Sequence, residues 1–253
     1  SLAVTGFPAS LAAKLGNPAL ADAFVKPFVA DRQARMVGCW AITEPEHGSD
    51  HFLMNDAGFR DPAIRGGVVA RPEGDGWVLN GAKARWVSNG GIATHAAVYL
   101  TTDPARGLAG GGIALVPLDL PGVTRGAHLD KLGQRALNQG GFSFDNVRIP
   151  RQNLLAGADA YPTLLDQTYA LTNAAMGSIF TGVAQAAFEA ALDHTRARVQ
   201  GGRALCEHQL VKKRLFDMYC RVESSRALSR QAFIVNAGRD RPATELATAA
   251  KIH

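Results

Sequence analysis

The hydrophobic period changes along the chain, and that change constrains the fold more than any single motif does. From Gly38 to about Pro150, apolar residues come in short runs separated by turn residues. The segments "GWVLNGAKARWVS", "AAVYLTT", "GIALVPLD" and "GFSFDNVRIP" read as short strands, and Asn80-Gly81 reads as a tight-turn signal. Short strands at this spacing predict a compact barrel or sandwich. "HFLMNDAGFRDPAIRGG" and "DPARGLAGGG" read as surface loops between them. Beyond "RIPRQNLLAGADA" the period becomes helical: Leu164, Leu165, Thr168, Leu171, Ala175, Ile179 and Val183 recur near the 3.6-residue repeat.

The second half therefore reads as a helical bundle. A long helix is expected from about Tyr161 to Val199, ended by Gly201-Gly202, and a second from about Glu207 to Ala237, stopped by Asn236 and Gly238. Pro242 starts a third. Residues 9–35 also read as helical, broken into short pieces by Gly16, Pro18 and Pro27. The expected fold class is multidomain α and β. Partial N-terminal helices (1–37) precede a central β-barrel domain (38–150) and an incomplete C-terminal helical bundle (151–253).

At 253 residues and 47% hydrophobic, the chain can bury a sizeable core and is not disordered. No apolar run reaches the ~20 residues of a membrane-spanning helix, and the chain opens on no signal peptide. The net charge of +5 comes without a run of like charges or a basic stripe interleaved with aromatics, which argues against nucleic acid. A phosphate-bearing nucleotide ligand suits that charge as well as any other partner. Cys39, Cys206 and Cys220 have neither zinc nor redox spacing, so no metal site is expected, and reduced thiols point to a cytoplasmic-type protein.

One stretch does not fit ordinary core or helix. "WAITEPEHGSD", residues 40–50, is too polar for a core strand and too rich in breakers for a helix. Gly-Ser-Asp alone is an ordinary turn. With Thr-Glu-Pro in front it resembles the T-E-P-x-x-G-S-D signature of acyl-CoA dehydrogenases, FAD-dependent enzymes of fatty-acid and amino-acid catabolism. Three further stretches are similar to that family, in its order: "LNGAKARWVSNGGIATHAAVYL", "KLGQRALNQGGFSFDNVRIPRQNLL" and "CEHQLVKKRLFDM".

The resemblance implies a helical N-terminal domain, a β-barrel middle domain and a C-terminal four-helix bundle, assembled as a homodimer or homotetramer. By that comparison most of the first domain and the end of the bundle are missing. It implies FAD contacts at Trp40, Ile42, Thr43, Gly48, Ser49, Trp86 and Ser88. Arg198, His208 and Gln209 would reach the pyrophosphate of a neighbouring subunit's FAD. Substrate contacts fall at Ser49, Thr172 and Asn173. Trp86 would wall the flavin and Ser88 would aim a hydroxyl at N5, both from one face of a strand. The extra residue in "KARW" then requires a bulge.

The implied reaction is α,β-dehydrogenation of an acyl-CoA thioester, with electrons passed to an electron-transfer flavoprotein. The catalytic base of the family, a Glu, falls beyond His253, or in a minority of members at the position of Thr172. Glu44 and Glu46 are candidates by chemistry only. Where the family has a substrate-contacting Arg and Asp, this chain has Asn173 and Ala170. That departure leaves open a flavin-dependent oxidase or monooxygenase on the same scaffold, or a non-catalytic partner subunit.

Overall fold

The structure is a computed structural model that describes residues 2–16, 18–237, 239 and 241–253. It divides into two compact units, residues 1–162 and 163–253, where the sequence suggests three segments. The N-terminal helices join the first unit because they pack on its sheet. Helix α1 (Leu2–Leu15) lies against strand β1 (Gly38–Ala41). Gly38 makes that approach possible, since a Cβ there would sit 2.3 Å from the Thr5 carbonyl oxygen and 2.7 Å from Pro8 Cδ.

After α1 the expected breaks are partly absorbed. Short helices α2 (Pro18–Leu20) and α3 (Lys26–Ala30) are bridged by a π turn at Ala21–Val25. Pro27 stands in the first turn of α3, where its missing N–H is tolerated.

The first unit is built on an eight-stranded sheet. Its strands are β1, β2 (Val69–Glu73), β3 (Gly76–Lys83), β4 (His95–Thr101), β5 (Gly111–Pro117), β6 (Val123–His128), β7 (Gly140–Pro150) and β8 (Leu154–Ala156). The order is β6-β7-β3-β2-β4-β5-β8, and β1 runs parallel to β4 from Gly38↔His95 to Ala41↔Val98. Strand β4 is buried along all its length, so its run "HAAVYLT" reads as a central strand. Val68, Leu79, Val98, Val116 and Val147 are fully buried in the core beneath the sheet.

Two local expectations change. Asn80-Gly81 is not a turn: β3 runs through it, and the hairpin turn is Gly74-Asp75, with Gly74 at φ +61°. Gly81 instead marks a register shift against β7, at φ +126°. A Cβ there would lie 2.4 Å from the Gly67 carbonyl oxygen. The "DPARGLAGGG" segment is also less exposed than a surface loop: its 3₁₀ turn Pro104–Gly110 buries Gly107–Gly110 and leads into β5.

The second unit is helical. Helix α4 (Tyr161–Ala197), most of which lies in this unit, α5 (Gln209–Asn236) and α6 (Thr244–Ile252) match the three expected helices within a few residues. Gly238 lies outside the described residues. Ala170, Ala174, Ala232, Ala247 and Ala250 form a close-packed apolar contact. Gly177 allows a close approach, since a Cβ there would stand 2.5 Å from the Ala250 carbonyl oxygen. The α4–α5 connection is a small β-hairpin, β9 (Val199–Gln200) with β10 (Arg203–Ala204). Gly201 and Gly202 form its turn at φ +64° and +77°. This suits a primed two-residue turn, and only positive φ at both positions closes it.

Candidate functional site

The breaker-rich stretch leaves β1 and folds into a loop held by one buried ion pair. Lys83, the last residue of β3, donates from Nζ to Glu44 Oε1 at 2.8 Å and to the Ile42 carbonyl at 3.1 Å. Both side chains are essentially sealed from solvent. Glu44 also accepts from the amides of Gly67 and Val68. One carboxylate therefore ties the exit of β1, the end of β3 and the approach to β2. Burial lowers the Lys83 pKa, and the Glu44 charge opposes that shift. With these commitments Glu44 is a framework group, whereas Glu46 is exposed.

Asp50 closes the rest of the loop. Its Oδ1 accepts from the Gly48 amide at 2.6 Å, and its Oδ2 meets His47 Nδ1 at 2.5 Å. His47 Nε2 meets the Arg65 carbonyl at 2.8 Å; carboxylate and carbonyl both only accept, so both ring nitrogens face acceptors, an arrangement that favours the imidazolium. Burial disfavours the His47 charge, but the Asp50 contact outweighs it and raises the His47 pKa. Burial likewise opposes ionisation of Asp50, and the bonds from His47 and Gly48 outweigh it, lowering its pKa. Ser49 is left exposed, Thr43 half-buried, and the space a Gly48 Cβ would enter is open.

His51, the next residue, is only 5% exposed, and neither ring nitrogen has a hydrogen-bond partner among the described residues. Burial, followed by the charge of Lys83, pushes its pKa down to about 4. It borders a cavity of about 10 Å3 with Glu44, Tyr99, Thr101 and Tyr161, room for about one water. The sequence carried no signal for this group, because its neighbours there come from distant strands.

Trp86 and Ser88 lie beside this loop, but not on a strand. Strand β3 ends at Lys83, and Ala84–Val87 form a turn, with Val87 N bonded to the Ala84 carbonyl at 3.4 Å. The extra residue of "KARW" is absorbed in that turn rather than in a bulge at Trp86. Exposure still alternates: Trp86 is 62% exposed, Val87 is buried and Ser88 is half-buried. The Ala84 amide donates to the Thr43 carbonyl at 3.0 Å, which fixes the Trp86 turn against the Thr43 loop.

The remaining expected residues are placed as follows. Trp40 packs against Phe7 and Tyr99, at ring-centroid distances of 5.0 and 6.1 Å, and Ile42 is buried. In the second unit Arg198 and Gln209 are exposed. His208 meets the Gln200 carbonyl through Nε2 at 2.9 Å and the Arg203 guanidinium through Nδ1 at 3.4 Å. A guanidinium only donates, so Nδ1 accepts and Nε2 carries the proton. His208 thus closes the Gly201-Gly202 hairpin. Thr172 bonds back to the Thr168 carbonyl at 2.9 Å, and Asn173 donates to Thr248 Oγ1 on α6 at 3.2 Å. In this arrangement Asn173 holds α6 to α4.

The residues of the first unit suit a flat aromatic ligand with a polar edge. They provide an exposed indole at Trp86, the half-buried hydroxyl residues Thr43 and Ser88 on the two segments that the Ala84–Thr43 bond ties together, and open space at Gly48. Among the described residues no group of three or more His, Cys, Asp or Glu could hold a metal, and no helix is long and apolar enough to cross a membrane.

Residues 39–147 match the family profile described as acyl-CoA dehydrogenase, middle domain, and residues 167–253 match acyl-CoA dehydrogenase, C-terminal domain. The chain is 33% identical over 219 residues to human short-chain specific acyl-CoA dehydrogenase, mitochondrial (Homo sapiens), covering 87% of this chain and 49% of that protein. It is 31% identical over 220 residues to glutaryl-CoA dehydrogenase of Desulfococcus multivorans, covering 86% and 52%. Among solved structures, butyryl-CoA dehydrogenase from Megasphaera elsdenii superposes with a TM-score of 0.80 at 26% identity, covering 96% of this chain and 59% of that one. A glutaryl-CoA dehydrogenase bound to glutaryl-CoA gives 0.82 at 28%, covering 96% and 58%. The chain spans about half the length of the curated relatives it matches.

Proposed function

The chain belongs to the acyl-CoA dehydrogenase family, and from that premise we propose that it contributes the cofactor framework of an enzyme performing FAD-dependent α,β-dehydrogenation of an acyl-CoA thioester. The observation that carries this reading is the Lys83–Glu44 pair. It brings the Thr43–Ser49 loop and the Trp86–Ser88 turn, distant in sequence, onto one framework. Bound FAD would supply the hydride acceptor. Trp86 would wall its ring and exclude water from that face. Thr43 and Ser88 would donate to its polar edge, and Ser49 would orient the thioester. Arg198 and Gln209, exposed near the α4–α5 hairpin, would serve a pyrophosphate in a second copy of the chain, which makes a homodimer or homotetramer the working assembly.

No residue of this chain is assigned as the base. Thr172 is engaged with its own helix, and Glu44 is engaged with Lys83. An electron-transfer flavoprotein is the proposed electron acceptor. The free thiols Cys39, Cys206 and Cys220 support a reducing, cytoplasmic-type compartment. The test is anaerobic titration of the purified full-length protein with acyl-CoAs of different chain length. Bleaching of bound flavin by one of them is expected. A flavin-loaded protein that no acyl-CoA bleaches would rule out the dehydrogenase reading.

A further inference from the structure

The Trp86–Ser88 turn is gripped by the segment that leads into β7, and the grip is oriented. The Asn89 amide donates to the Asn138 carbonyl at 2.7 Å, and the Gly140 amide donates to the Val87 carbonyl at 3.1 Å. Asn138 Oδ1 accepts from the Gly91 amide at 3.0 Å. Between these bonds Ser88 and Gln139 form an isolated antiparallel bridge. The Gln139 side chain then reaches back over the turn: Nε2 donates to the Trp86 carbonyl at 3.0 Å and lies 3.5 Å from Ser88 Oγ.

This geometry settles which way the carboxamide points. A carbonyl oxygen only accepts, so the Trp86 carbonyl requires the amide nitrogen, not the amide oxygen, on its side. An NH2 group has two hydrogens, and the second faces Ser88 Oγ. In that pair the hydroxyl accepts, so its own hydrogen is directed elsewhere. A side chain with an acceptor at this place would draw the Ser88 hydrogen inward instead.

We infer that Gln139 is a positioning residue that sets the Ser88 hydroxyl as an outward hydrogen-bond donor to the polar edge of the bound flavin. The inference rests on the FAD reading above and adds to it a determinant of flavin electronics. A donor at the ring edge stabilises the reduced, more negative flavin more than the oxidised one. Gln139 thereby raises the flavin's reduction potential through Ser88, without touching the cofactor.

The test compares wild type, Gln139→Met, Ser88→Ala and the double variant, all loaded with FAD. The readouts are the midpoint potential of the bound flavin and the dissociation constant for oxidised FAD. Methionine keeps the side-chain length and removes the donors. The expected result for Gln139→Met is a loss of about three- to tenfold in affinity for reduced relative to oxidised flavin, the scale of one hydrogen bond. Ser88→Ala should lose at least as much, and the double variant should match Ser88→Ala. A Gln139→Met potential equal to wild type overturns the inference. So does a double variant whose loss is the product of the two single losses. A merely structural role would weaken both redox states equally, leaving the potential unmoved, and that outcome also overturns it. Should Gln139→Met not fold, Gln139→Leu, equally neutral and without donors, takes its place with the same expected loss; a wild-type potential in that variant overturns the inference. If wild type itself takes up no FAD, the FAD reading fails first, and this inference falls with it.

Discussion

Replacing His51 with glutamine should flatten the acid side of the stability profile. His51 sits in the first unit with its ring sealed off, facing Lys83, Glu44, Asp50 and His47, and its pKa is about 4 against an ordinary value of 6.5. The folded protein therefore resists protonation where the unfolded chain accepts it. Stability from the neutral ring is complete above the unfolded pKa and is lost as pH falls through the window between the two values. Integrated from about pH 7.5 to about pH 5, this single group removes about 2 kcal/mol. His47 works in the opposite sense, because its pKa is raised: it adds stability as pH falls. It is present in both proteins, so it cancels in the comparison.

Tryptophan fluorescence suits the measurement, because Trp40, Trp77 and Trp86 all lie in residues 1–162 and report that unit alone. Urea unfolding of wild type and His51→Gln at the two pH values gives four stabilities. Comparing pH values within each protein removes the packing cost of the substitution. Wild type should lose about 2 kcal/mol more than the variant on acidification. Equal losses, within about 0.5 kcal/mol, would refute a neutral buried His51.

Glu44→Ala should cost about 3–5 kcal/mol, because it leaves the Lys83 ammonium buried with only the Ile42 carbonyl; a urea midpoint near wild type would contradict the framework role. Trp86→Ala should weaken FAD retention on gel filtration while leaving the melting temperature nearly unchanged, since its ring is largely exposed. Unchanged retention would count against the flavin wall. Gly38→Ala should drive α1 off β1, costing about 1–3 kcal/mol, and speed amide exchange in residues 2–15. A high-resolution crystal structure should contain one ordered water in the cavity bordered by His51, Thr101 and Tyr161, bonded to the His51 ring. An empty cavity there would remove that expectation.

Much of the architecture was legible in the sequence. The shift from short apolar runs to a helical repeat marked the sheet and the bundle, because strand and helix periods are local properties. The turn chemistry was less legible. Asn80-Gly81 carries the signal of a hairpin, yet β3 runs through it, because Gly81 is needed for close approach to Gly67 and Val68. Gly201-Gly202 reads as a helix stop and is also the turn of a hairpin. In each case the same residue type serves two geometries, and only its neighbours across the fold choose between them.

The sequence by itself determined the family, through four ordered motifs, and with it the kinds of residue available to a flavin. The tertiary structure decided what those residues are free to do. Glu44, a carboxylate suited to acid–base chemistry, is committed to Lys83 and two amides. His51, without any motif, becomes the buried neutral imidazole of the loop. Gln139, an ordinary polar residue ahead of β7, meets Ser88 across 51 positions of chain. Motifs record residue types in order along one dimension. Burial, pairing and the direction of a hydroxyl's hydrogen depend on partners brought together from separate strands, and no local pattern specifies those.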